Sequence, residues 1–277
     1  MTSAAIAPEG GTGHRQFHAL VLAGDRGPDD PLRQATGVDH KCLTPVGGRA
    51  MIEWVVDALA ASPWVGRIVV SVADPHAVES LPALRDLVGA GTLTTVPVAA
   101  SPSRSVLAAI EHLDTPFPLL ITTADHALLT TEMVDLFCAS CAAGAAEVGV
   151  GLTAEAVVSE RYPHAKRTYL AFRDGRYSGS NIFALMAPEA AAVVRLWVQV
   201  EQQRKRPWRI AAVFGPILLL GYLLRRFTLD EALLRISSRV GLTAAAVRFP
   251  FADAAIDVDK IDDLALAEEI LDDRRRG

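Results

Sequence analysis

The chain has 277 residues, 51% of them hydrophobic and 21% charged, with a formal net charge of −5. Such a composition excludes a disordered or fibrous protein, and the length suits one α/β domain with a helical insertion better than two equal domains. The acidic balance offers nucleic acid no global attraction, and three cysteines are too few for a disulfide scaffold and suit a reducing compartment.

Residues 1–16, rich in Gly, Ala and Thr, lack the basic start and apolar stretch of a signal peptide. They are predicted to form a flexible tail ahead of a domain spanning 17–277, in a protein expected in the cytoplasm. Short runs of Val, Ile and Leu at Phe17–Ala23, Arg67–Val72, Leu93–Val98 and Pro118–Thr122 read as strands buried on both faces. Helical patterns lie between them at Ala50–Ala61, around Ala77–Val88, and at Ser103–Leu113. This alternation predicts a mostly parallel sheet between two helical layers. Ligands of such sheets bind outside the carboxyl ends of the strands, so the loops after residues 23, 98 and 123 should share one rim.

The second half is less regular. Glu132–Ala143 reads as a helix, Glu147–Thr153 as a strand, and Arg167–Arg173 and Ser180–Leu185 flank a turn at Asp174-Gly175. Helices at Pro188–Gln203 and Leu229–Val240 bracket a long apolar stretch, giving a helical insertion at about 187–240. A strand at Thr243–Phe249 and a helix at Asp262–Leu271 close the chain.

The first strand runs into Leu22-Ala23-Gly24-Asp25-Arg26-Gly27, whose glycines let backbone N–H groups approach a phosphate or base. Lys41 supplies a mobile positive charge for an α- or β-phosphate, and Arg26 a forked one. Lys41, Leu43, Pro45-Val46-Gly47-Gly48-Arg49 and the helical Met51-Ile52 then follow. Together these residues resemble the opening signature of the nucleotidyltransferases of the molybdopterin-guanylyltransferase and sugar-phosphate type. The chain departs from that signature in its longer Asp25–His40 loop and in Asp25, which stands where a second glycine is common.

The resemblance implies a Rossmann-like three-layer α/β/α fold shared with type-A glycosyltransferases. It also implies nucleotidyl transfer from an NTP to a phosphorylated acceptor, with release of pyrophosphate. Asp125 follows the strand at 118–122, and its carboxylate suits Mg²⁺ (or Mn²⁺), which takes hard oxygen ligands and substrate phosphates. In the resembling family an aspartate after this strand holds the metal. His126 beside it reads as a loop residue and not as a general base. The family often closes its domain on a stretch like Asp257-Val-Asp259 with Asp262, Asp263 and Leu264 behind it, which implies Asp259 as second metal ligand. Asp262 or Asp263 would then serve the N-terminus of the last helix.

Ser103 or Ser105 is expected to cap the helix after Ser101-Pro102, and Arg104 with Ser105 resembles a nucleotide-contacting segment of the isoprenoid cytidylyltransferases. Ser178-Gly-Ser-Asn181 reads as a small-residue turn whose Asn181 reaches an acceptor hydroxyl, or simply as a β-turn. Lys166 and Arg167 lie in a basic loop suited to an acceptor phosphate, although such runs are commonly just solvated. Cys138 and Cys141 share a helix face and read as core side chains.

Ile210–Leu224 carries no charge and is flanked by Arg204, Lys205, Arg206, Trp208, Arg209, Arg225 and Arg226. Fifteen helical residues reach only ~22 Å, short of the ~30 Å of a bilayer's hydrocarbon core. The segment is therefore a buried helix or, with 204–226, a peripheral contact with anionic lipid, which would make the acceptor lipid-linked or a head-group precursor. Two rival functions remain open: a glycosyltransferase using a nucleotide-sugar, and an inactive nucleotide sensor or membrane-associated scaffold.

Overall fold

The computed structural model describes residues 16–25, 27, 29–203 and 215–276, with the backbone alone at 202, 203 and 216–218. The first half contains β1 (Phe17–Leu22), α1 (Pro31–Thr36), β2 (Pro45–Val46), β3 (Arg49–Ala50), α2 (Met51–Ala60), β4 (Val65–Val72), α3 (His76–Glu79), α4 (Pro82–Gly89), β5 (Leu93–Pro97), α5 (Pro102–His112) and β6 (Leu119–Thr123). The second contains α6 (Thr131–Ala143), β7 (Val148–Ala154), α7 (Glu155–Arg161), β8 (Leu170–Phe172), β9 (Gly175–Leu185), α8 (Ala191–Gln203), α9 (Pro216–Leu223), α10 (Leu229–Val240), β10 (Ala244–Phe249) and α11 (Ile261–Arg276).

Apolar residues on both sides of β1, β4 and β6 require cover on both faces of the sheet. One face packs Ile52, Val55 and Leu59 of α2 and Phe137 of α6. The other packs Val106 and Ala109 of α5 and Val194 of α8. A third cluster joins Leu32, Val46 and Met51 to Ile270 and Leu271 of α11. The result is the three-layer α/β/α arrangement that the alternation predicts.

Eight strands form one sheet in the order β10-β7-β9-β6-β1-β4-β5, with β8 on β9. β1 is parallel to β4 and β6, β4 to β5, and β7 to β10. β9 runs antiparallel to β6, β7 and β8. The ends of β1, β4 and β6 meet at one rim, where Ala23 N donates to Ser71 O (2.8 Å) and Ala124 N to Leu22 O (3.0 Å). Because β9 is reversed and Ile182 pairs with Thr122, the residues before Ile182 extend past the end of β6 over that rim.

Three sequence expectations need correction. The helix around Ala77–Val88 is two short ones, because Pro82 has no N–H to continue a helix and the residue before it, Leu81, is extended. Ser178–Asn181 is no turn but part of β9. The pairing there shifts from Val150↔Phe183 to Leu152↔Gly179, so β9 carries two extra residues in a bulge. Gly151 faces that bulge; a Cβ there would lie 2.3 Å from Ile182 Cγ2 and 2.8 Å from the Phe249 ring. The cap of α5 is neither Ser103 nor Ser105 but Ser101, whose side chain accepts from Arg104 N (3.4 Å). Among the described residues no helix is long and apolar enough to cross a membrane.

Candidate active site at the sheet rim

The loop after β1 leaves Gly24 exposed at the rim, its position for a Cβ 3.6 Å from Val98 Cγ1. The loops after β1 and β5 are thus neighbours. Asp25, in place of a glycine, organises the loop. One of its oxygens accepts from Gly27 N (2.8 Å); the other pairs with Arg33 Nη1 (3.4 Å) and His40 Nδ1 (3.8 Å). Gly27 has φ +84°, a left-handed conformation that glycine adopts without strain. The longer Asp25–His40 stretch folds around α1, whose N-cap Asp30 accepts from Leu32 N (3.0 Å) and Arg33 N (3.4 Å). Arg26 lies outside the described residues, as do 1–15 and the basic run 204–209.

Lys41 opens a 3₁₀ turn that places its side chain, 9% exposed, between two carboxylates. Its Nζ donates to Asp125 Oδ2 (2.7 Å) and to Asp259 Oδ1. Burial pulls the lysine pKa down, but Asp125 and Asp259 outweigh this and hold it above the ordinary value. Lys41, Asp125 and Asp259 are 84 and 218 residues apart along the chain from the lysine, yet form one cluster. The segment carrying Asp259 is tied directly to that carrying Asp125, since Val258 N donates to Asp125 O (2.9 Å).

A second ion cluster adjoins the first. Arg167 Nη1 donates to Asp257 Oδ1 (2.6 Å) and Nη2 to Asp263 Oδ1 (2.7 Å), with only 8% of the side chain exposed. Asp257 Oδ2 accepts from Asn181 Nδ2 (3.0 Å), and Asp263 Oδ2 from Lys260 N (3.1 Å) and Asp259 N (3.3 Å). Asp263 therefore does serve the N-terminus of α11. Burial and the nearby charge of Asp125 raise the Asp257 pKa, against the pull of Arg167. Asn181 holds its position at φ +48° in the β9 bulge. Arg167 thus braces the Asp257–Asp263 segment, a role its basic run gave no sign of.

Other predicted residues sit apart. Arg104 is exposed, whereas Ser105 is buried with its Oγ accepting from Ala99 N (2.9 Å). Lys166 is exposed. Thr130 caps α6, leaving Asp125 free of that duty. Cys138 and Cys141 are buried core thiols with pKa values pushed up by burial, Cys141 to about 12. Glu201 of α8 reaches Ser103 Oγ at the start of α5, a contact across 98 residues that no local pattern announces.

Asp125 and its sequence neighbours at the end of β6 carry buried polar groups without hydrogen-bond partners among the described residues. They are Asp125 Oδ1, both ring nitrogens of His126, and the hydroxyls of Thr122 and Thr123. Burial drives the His126 pKa down to about 4, against the opposing charge of Asp125, so the ring is neutral at neutral pH. No set of three or more His, Cys, Asp or Glu side chains forms a complete metal cage among the described residues. The donor set of Asp125 and Asp259, with an unbonded carboxylate oxygen, fits a hard cation that takes its remaining ligands from phosphate and water.

The MobA-like NTP transferase domain model matches residues 19–178, more than half of the chain. The chain belongs to this family. It is a nucleotidyltransferase, and its substrate is a nucleoside triphosphate. Among solved structures, a hypothetical transferase from Thermus thermophilus is 30% identical over 90% of this chain and 100% of its own, with a TM-score of 0.74. Two more distant structures share the fold at 12% identity. One is 4-diphosphocytidyl-2C-methyl-D-erythritol synthase from Anaerococcus prevotii, with TM-score 0.54 over 93% of this chain and 99% of its own. The other is a CMP:2-keto-3-deoxy-manno-octonic acid synthetase complexed with CTP, with TM-score 0.56 over 94% and 98%. No curated protein sequence matches the chain.

Proposed function

We propose that this nucleotidyltransferase moves a cytidylyl or guanylyl group from its NTP to a phosphate of a small-molecule or lipid head-group acceptor, in a reaction dependent on Mg²⁺ held by Asp125 and Asp259. The observation that carries the reading is the Lys41 ammonium held between those two carboxylates while Asp125 Oδ1 stays unbonded. Bound Mg²⁺ would neutralise phosphate charge and align the triphosphate. Lys41, released from the carboxylates, then presents its ammonium to the phosphate on which charge develops. The exposed Gly24 loop supplies backbone donors at the rim, and Asp25 keeps that loop in place. Asn181 and the exposed Lys166 are the groups available to an acceptor, while Arg167 supports Asn181 through Asp257. No covalent intermediate on the enzyme is required, because alignment and charge neutralisation suffice for in-line attack. Cytosine and guanine are the bases to test first, since one distant neighbour is complexed with CTP and the opening signature resembles that of guanylyltransferases.

Thermal shift with ATP, CTP, GTP and UTP, each with and without Mg²⁺, tests the reading. At a ligand concentration 100 times Kd the stabilisation is about 2.7 kcal/mol, enough to single out the preferred base. Pyrophosphate release with phosphorylated acceptors follows for that nucleotide. Equal shifts with and without Mg²⁺, or release of a nucleoside diphosphate from a nucleotide-sugar, would overturn it.

A further inference from the structure

Helix α9 has a leucine face that nothing in the described structure covers. Its sequence, Pro216-Ile-Leu-Leu-Leu-Gly-Tyr-Leu223, has no charged residue. Leu220, Leu223 and Leu224 are 58%, 66% and 53% exposed, and Leu219 is 37% exposed. These four recur at helical spacing and so line one side. The opposite side is docked firmly. Tyr222 meets Phe172 edge-on at 5.6 Å between ring centroids, and a Cβ on Gly221 would stand 2.2 Å from the Phe227 ring. The leucines are therefore held outward by a packed helix.

The helix ends in a Schellman motif, with Arg226 N donating to Gly221 O (2.8 Å) and Arg225 N to Tyr222 O (2.9 Å). The left-handed position of that motif normally takes glycine, yet here it is Arg225 at φ +50°. A strained arginine thus sits at the edge of an exposed leucine face, with Arg226 exposed beside it. Behind the helix, on its packed side, Arg235 lies over the Phe227 ring at 4.4 Å, so the arginines bordering the leucine face are Arg225 and Arg226. The nearby carboxylates are already engaged, Glu231 by Arg173 (2.9 Å) and Asp230 by Arg248 (2.9 Å). A bilayer surface bearing anionic headgroups satisfies both halves of the face, leucines toward the acyl boundary and arginines toward phosphate.

We infer that α9 and the Leu224–Arg226 turn form a docking face for anionic membrane surfaces, holding the enzyme peripherally against lipid. This stands apart from the proposed chemistry, since vesicle binding needs neither nucleotide nor turnover. The face contains none of the rim residues.

The test is co-sedimentation of the full-length protein with vesicles of phosphatidylcholine alone and of phosphatidylcholine mixed with phosphatidylglycerol, at low and high salt. Binding is expected only to the anionic vesicles and only at low salt. The double variant Arg225→Gly/Arg226→Gln should weaken it about 25-fold, each arginine near an anionic surface being worth roughly a factor of five. Arg225→Gly also replaces a strained residue with the favoured one, so its Tm should stay level or rise, which separates lost docking from lost folding. Leu220→Ser/Leu223→Ser should lose binding while retaining nucleotide-induced thermal shift. Absence of wild-type binding at low salt, or binding untouched by both double variants, would overturn the inference. So would a dimer in light scattering that the leucine changes dissolve, because it would assign the face to a second copy.

Discussion

Lys41 and Arg167 are each held, nine-tenths buried, between two carboxylates, and three of those four carboxylates come from the segment 257–263. Around Arg167 every carboxylate oxygen is committed: Asp257 to Arg167 and Asn181, Asp263 to Arg167 and the backbone of residues 259 and 260. Around Lys41 the arrangement is unfinished, since Asp125 Oδ1 is buried with no partner among the described residues. The choice of cation matches. Arginine's planar fork fixes two carboxylates at once, whereas lysine's single ammonium on a flexible stem can leave one partner for another. Both are buried ion clusters in sequence-remote segments, and we propose from this difference that the Arg167 cluster is scaffold and the Lys41 cluster machinery.

The comparison breaks first if the Lys41 cluster can lose its carboxylate without losing chemistry. Asp125→Ala should lower kcat/KM for pyrophosphate release by roughly 10³-fold or more, about 4 kcal/mol, with an unchanged far-ultraviolet circular dichroism spectrum. Undiminished turnover in that variant would remove Asp125 from the reaction. A pH effect of about 3 kcal/mol is expected from the residue beside it. The folded His126 pKa, near 4, lies below the unfolded value of about 6.5, so only the unfolded chain takes up a proton between them. Stability should be level above pH ~6.5 and fall as pH drops toward about 4. His126→Leu should flatten that limb by one proton's worth of slope in urea titrations; an equal slope would mean the ring is hydrated and charged in the fold.

Lys41→Met should cost roughly 10²-fold in kcat, about 2.7 kcal/mol, and should also tighten Mg²⁺ binding without nucleotide, measured calorimetrically. The ammonium no longer competes for Asp125 and Asp259. Arg167→Ala should do the reverse: Mg²⁺ binding no tighter, and stability lower by roughly 2 kcal/mol in urea unfolding, because two carboxylates lose their shared counter-charge. That figure is set below a fully buried pair's because Asp257 and Asp263 are 28% and 16% exposed. Arg167→Lys should recover only part of the loss, since an ammonium cannot span both partners.

The rim was legible because its residues are marked locally. A small-residue loop after an apolar strand, a lysine before Pro45-Val46-Gly47-Gly48, and an aspartate after β6 each follow from strand-end logic, and the fold brings Lys41, Asp125 and Asp259 together accordingly. The Arg167 clamp was not legible. Its partners lie 90 and 96 residues away, and from sequence alone a buried arginine in a basic run looks like a solvated one. The reversed strand β9 was half visible: its apolar end at 180–185 reads as a strand, but the small polar residues before it imitate a turn because they occupy a bulge. The cap of α5, Ser101, lies two or four residues ahead of the expected Ser103 or Ser105, since three serines within five positions are equivalent until one of them meets Arg104 N.

Asn181 offers the smallest and most discriminating effect, because it touches the clamp yet stands at the rim where an acceptor is expected. Asn181→Gly removes one hydrogen bond to Asp257, a loss of about 1 kcal/mol, and relieves a left-handed backbone at φ +48°, a comparable gain. Global stability should therefore change by less than about 1 kcal/mol. If Asn181 belongs only to the clamp, the KM for acceptor stays constant as well. If it also binds an acceptor hydroxyl, that KM rises several-fold while kcat, the KM for NTP and the Mg²⁺ requirement hold steady. A shift in the Mg²⁺ requirement instead would mean that strain in β9 reaches Asp259 through Asp257, and that scaffold and machinery are a single coupled network.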